Sequence, residues 1–110
     1  MTKRVAKLYI KDIIDAINNI EKYTRGISFE EFSHKQITID AVIRNFEIIG
    51  EAAKHVPKET QMKETGIPWK EMAGMRDKII HEYFGVDLDI VWKTIKEQLP
   101  AIKKLIKRIL

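Results

Sequence analysis

Apolar residues recur at steps of three and four through nearly every stretch of this 110-residue chain, which restricts it to packed amphipathic helices. In the first segment Val5, Tyr9, Ile13, Ala16 and Ile20 keep that step, and Ile10, Ile14 and Ile17 widen the stripe, so the stripe is expected to be buried. Gly26 supplies a stop. Ser28 and Glu31 form an S-x-x-E capping box that opens a short helix carrying Phe29 and Phe32. A second long helix is predicted from Thr38 to about His55, with Val42, Ile43, Phe46, Ile49, Ala53 and Val56 on its apolar side and Pro57 ending it. Gly50, inside that helix, invites close approach by another backbone.

Residues 57–66 are polar and read as a turn with one short helical piece, after which Pro68 suits the first position of a third long helix. Trp69, Met72, Ile79, Ile80 and Tyr83 give that helix its apolar residues. Gly85 reads as its cap with Val86 folding back, and Asp87 as the N-cap of a last helix carrying Leu88, Val91, Trp92, Ile95 and Leu99. Pro100 should kink that helix, because its ring removes a backbone donor and crowds the preceding turn. The expected fold is all-α: residues 1–110 form a single antiparallel bundle of about four long helices with short helical pieces.

Composition narrows the chemistry. No cysteine is present, which excludes a disulfide framework, a zinc knuckle and a thiol nucleophile. His34, His55 and His81 are too scattered for an evident metal site, and neither a glycine-rich phosphate loop nor a nucleophile elbow occurs. No run approaches the ~20 apolar residues of a membrane span; a soluble, cytoplasmic protein is expected. Twenty basic against sixteen acidic residues leave a net charge of +4 and a pI near 9.3, compatible with a polyanionic partner. Glu47 and Glu51, one turn apart, read as two solvated carboxylates rather than a catalytic pair. His34 and His55 read as surface residues, and the basic C-terminal turns as a solvated face.

The segment from Met75 to Phe84 concentrates Arg76, Asp77, His81 and Tyr83 at the predicted end of a helix. Asp77 and His81, four apart, share a face, so the carboxylate can orient the imidazole and favour its protonated form. Arg76 and His81, five apart, point about 140° away from each other on an ideal helix. If both serve one phosphate, either the helix loosens before Gly85 or two copies of the chain face one another across a two-fold axis; the second is favoured. Histidine titrates in the range needed for proton transfer, arginine's fork matches phosphate oxygens, and RNA carries its own 2′-hydroxyl nucleophile. Cleavage by that route uses no metal. The competing reading makes Arg76, Asp77 and Lys78 surface charges, His81 a helix cap and Tyr83 a core residue.

Arg76, His81 and Tyr83 form an R-x4-H-x-Y pattern with a polar residue, Asp77, after the arginine. The stretch from Arg44 to Ala53 (R-N-F-E-I-I-G-E-A-A), together with Ile67-Pro68-Trp69 and Tyr83-Phe84-Gly85-Val86-Asp87, extends the pattern. On these residues the chain resembles the HepT toxins of the HEPN (higher eukaryotes and prokaryotes nucleotide-binding) superfamily. The resemblance implies a metal-independent endoribonuclease, the toxin of a toxin–antitoxin pair, with Arg76 and His81 catalytic at a homodimer cleft and Asp77 supporting them. It further implies an MntA-type nucleotidyltransferase antitoxin that transfers AMP from ATP onto Tyr83, placing a bulky anion beside Arg76 that repels RNA. The chain itself then needs no cofactor, since the partner consumes the ATP. The alternative function is a non-catalytic helical module that binds a nucleotide, RNA or a nucleotidyltransferase.

Overall fold

The computed structural model describes residues 2–81 and 87–110, excepting the side chains of Thr2, Lys3, Arg76, Ile80 and His81. Seven α-helices and one π-helical turn follow in order, and no strand occurs among the described residues, as the apolar period requires. Helix α1 (Thr2–Thr24) packs along α3 (Gln36–His55), and α3 along α5 (Trp69–His81). The short α2 (Phe29–Ser33) and α4 (Lys58–Lys63) sit in the connections. A final helical stretch runs through α6 (Leu88–Lys93), the π turn (Thr94–Gln98) and α7 (Leu99–Lys107), the last of which lies against α1. No described helix is long and apolar enough to cross a membrane.

The buried seam of α1 is Ala6, Ile10, Ile13, Ala16, Ile17, Ile20 and Thr24, so the expected stripe holds at Ile10, Ile13, Ala16, Ile17 and Ile20, Tyr9 and Ile14 flank it partly buried, and Val5 at its start is 40% exposed. Helices α3 and α7 both pack against α1 and bury this seam. Gly26 takes φ +75°, the left-handed conformation in which a side chain would be strained, and so ends α1 sharply. The capping box forms as expected: the Glu31 N–H donates to Ser28 Oγ (3.1 Å) and the Ser28 N–H to Glu31 Oε1 (3.0 Å). Phe32 is fully buried and, with Phe29, meets the Trp92 ring at centroid distances of 5.1 and 6.0 Å, pinning α2 to α6.

Helix α3 begins two residues before the expected Thr38, because Gln36 Nε2 donates to Asp40 Oδ1 (2.8 Å) and props an additional half-turn. Its C-terminus is closed from a distance: Gln61 Nε2, on α4, donates to the carbonyls of Val56 (2.8 Å) and Ala53 (3.3 Å). Pro68, predicted at N1, instead stands one position before the first helical residue, Trp69, with its carbonyl accepting the Met72 N–H (3.0 Å). Asp87 caps α6 as predicted, accepting from the Asp89 and Ile90 N–H groups. Pro100 acts through the turn before it: the Leu99 N–H donates to Thr94 O, five residues back, so the helix widens into a π turn and continues instead of breaking.

Candidate active site

The candidate site is built on α5, whose position is fixed by α3. A Cβ placed on Gly50 would stand 3.3 Å from the Ala73 carbonyl oxygen and 3.5 Å from that of Met72, so the two backbones touch where the sequence carries no side chain. Gly50 lies five residues before the end of α3 and Ala73 four after the start of α5, the register of a helical hairpin. Moving three residues in opposite senses from that contact brings the Arg76 backbone about level with Glu47. Met72, Met75 and Ile79 anchor the buried side of α5, while Asp77 and Lys78 are exposed.

Backbone 69–81 is α-helical throughout. The helix does not loosen between Arg76 and His81, and the remaining positions before Gly85, 82–84, lie outside the described residues. The Cα atoms of Arg76 and His81 are separated by about 7.5 Å along the axis and about 140° around it. The Arg76 and His81 side chains, with the expected Asp77–His81 bond, lie outside the described residues, as do Tyr83 and the Gly85–Val86 cap.

On the neighbouring face, α1 and α3 enclose a hollow of about 610 Å³ lined by Tyr9, Asp12, Arg44, Glu47, Glu51 and His55 among others. The expectation of two solvated carboxylates holds for Glu51, which is exposed and 3.8 Å from Lys54, whereas Glu47 is half-buried in this hollow. His55 stacks on Tyr9 (centroids 5.6 Å, 29° between planes) and its Nδ1 lies 2.7 Å from the Glu51 carbonyl; because a carbonyl only accepts, Nδ1 carries the proton. Asn19 Nδ2, from the exposed side of α1, donates to Oδ1 of the buried Asn45 (3.2 Å), and Asn45 Nδ2 to Ala41 O (2.8 Å), a part-buried polar link between α1 and α3. Sequence reasoning missed this pair and the Gln61 cap; the separation of 26 positions between Asn19 and Asn45 leaves no local signal for it.

Comparison with known proteins gives this surface a context. The profile of a family described as Ribonuclease HepT-like matches residues 13–109. The chain is 52% identical over 101 residues to a probable ribonuclease HepT of Thermococcus cleftensis, with 92% of each protein covered. It is 46% identical over 102 residues to a candidate RNase of Caldanaerobacter subterraneus, covering 93% of this chain and 91% of that protein. A candidate RNase of Methanocaldococcus jannaschii is 44% identical over all 110 residues and 91% covered. No solved structure matches the chain.

Proposed function

The chain belongs to the ribonuclease HepT-like family, and from that premise we propose that it is a metal-independent endoribonuclease whose site is shared between two copies. The observation that carries the reading is the likeness to a probable ribonuclease HepT across 92% of both chains. The unbroken helix bears on how the site is assembled: with Arg76 and His81 on divergent sides of one rod, a single phosphate is best served by an arginine and a histidine from different protomers.

In the proposed reaction the 2′-oxygen of the substrate attacks the adjacent phosphorus, forming a 2′-O–P bond as the P–5′-O bond breaks. His81 takes the 2′-hydroxyl proton, and a proton is returned to the departing 5′-oxygen. Arg76 stabilises the additional negative charge on the phosphorane, and Asp77 orients the imidazole. The product strand ends in a 2′,3′-cyclic phosphate, and no atom in the balance comes from a metal. The same reading makes the protein a toxin held in check by a nucleotidyltransferase that attaches AMP to Tyr83; the added phosphate beside Arg76 competes for the substrate's place.

RNA cleavage is expected to persist in EDTA, and Arg76→Ala or His81→Ala should each lower kcat/KM by about 10²-fold or more with unchanged circular dichroism. Full cleavage by both variants would refute the assignment. Incubation with the partner transferase, ATP and magnesium should add AMP to the Tyr83 peptide, read by mass spectrometry; an unmodified peptide from an inhibited sample removes that mode of control.

A further inference from the structure

The chain's positive charge is concentrated at one end. Residues 1–87 carry fourteen basic and fourteen acidic side chains, whereas residues 88–110 carry six against two, a surplus equal to the net +4 of the whole protein. Lys93, Lys96, Lys104, Lys107 and Arg108 are all exposed there. Lys103 is committed elsewhere, with its ammonium 2.7 Å from Glu21 Oε1 on α1. Lys96 is held 4.7 Å above the Trp92 ring, which positions its charge on the same helical stretch.

Two concavities connect this charge to α5. A groove of about 500 Å³ between α5 and the π turn and α7 has Met75, Ile79 and Leu105 among its lining, with Lys78, Gln98, Thr94 and, at its Pro68 end, Glu71 as polar members. Ala101 lines this groove and also a second hollow, of about 570 Å³, over the far side of α7, where Lys104 and Lys107 stand beside the Glu21-paired Lys103 and a single carboxylate, Glu97. The surface is therefore continuous from Lys78, two residues beyond Arg76, to Lys107.

We infer that this surface is a track for single-stranded RNA leading away from α5, with bases lying over the apolar groove and phosphates on Lys78, Lys104 and Lys107. Apolar floor and flanking ammonium groups match the two faces of an unpaired strand, which must cover its bases and neutralise its backbone. A lipid surface fits less well: Leu99, Ile102 and Ile106, the apolar side of α7, are buried in the core and not offered for insertion. The inference rests on the ribonuclease reading for where the track begins, but its test reads binding independently of cleavage.

The probe is a labelled single-stranded RNA of about 12 nucleotides with 2′-O-methyl groups, which cannot supply the nucleophile. Its affinity for the full chain is measured by anisotropy from roughly 0.05 to 0.3 M salt. The double variant Lys104→Gln/Lys107→Gln should lower the slope of log affinity against log salt by ~1.4, at ~0.7 per lost phosphate contact, and weaken binding about 25-fold at ~0.1 M salt. Lys58→Gln/Lys63→Gln removes the same charge from exposed positions of α4 and should leave the slope unchanged. An unchanged slope in Lys104→Gln/Lys107→Gln, or an equal loss in both double variants, overturns the inference. Salt-dependent binding with the expected slope change but no cleavage of any RNA supports the track and overturns the nuclease reading.

Discussion

Glu31 accepts the Ser28 N–H while its own N–H is held by Ser28 Oγ, and the first of these bonds favours the carboxylate over the carboxylic acid. The backbone and side-chain bonds from Ser28 hold the Glu31 carboxyl below its ordinary value of 4.5, with the Lys35 charge adding in the same direction. A group whose folded pKa is depressed contributes stability above its unfolded pKa and loses it as pH falls through the lower, folded value. The closure of α2 should therefore be intact above pH 4.5 and weaken below it, and Glu31→Gln should abolish that dependence. Carboxyl-carbon NMR titration checks this; a Glu31 midpoint at or above 4.5 would contradict it. This device was legible in the sequence because donor and acceptor lie three residues apart. The Asn19–Asn45 link was not, because its two halves are brought together only by the packing of α1 on α3.

Helix pairs carry the same distinction between local and distant causes. The α3–α5 contact was foreshadowed by Gly50, since a glycine inside a helix costs stability unless something uses the missing Cβ. Gly74, on α5, meets nothing within 4 Å of such a Cβ. Opposite outcomes are therefore expected from one substitution. Gly50→Ala places a methyl against carbonyl oxygens of a neighbouring backbone and should destabilise by about 1 kcal/mol or more despite its better helix propensity. Gly74→Ala should stabilise by about 0.5–1 kcal/mol. Urea denaturation reads both, and a stabilised Gly50→Ala would show that α3 and α5 separate at little cost. The π turn was only half foreseen: Pro100 announces a disturbed helix, but whether the helix kinks or widens depends on the burial of Val91, Ile95 and Leu99, which hold the chain on course.

At the scale of the molecule, the spacing of Arg76 and His81 was readable from the sequence, and the structure turns that spacing into a constraint on assembly. An α-helix unbroken from 69 to 81 sets the Cα atoms of Arg76 and His81 about 140° apart around its axis, and under the proposed function their cooperation is a property of a pair of chains. Complementation follows from this. A site composed of Arg76 from one protomer and His81 from the other would be broken twice in a homodimer of either alanine variant. A mixed dimer of Arg76→Ala with His81→Ala would place both substitutions in one of its two sites and leave the other whole. Random exchange makes about half the dimers mixed, each with one intact site of two, so an equimolar mixture should recover about a quarter of the parent activity. If both groups act from the same chain, no mixed dimer contains an intact site and the mixture stays as inactive as its components. Refolding the two variants together, and measuring RNA cleavage against each refolded alone, separates these outcomes.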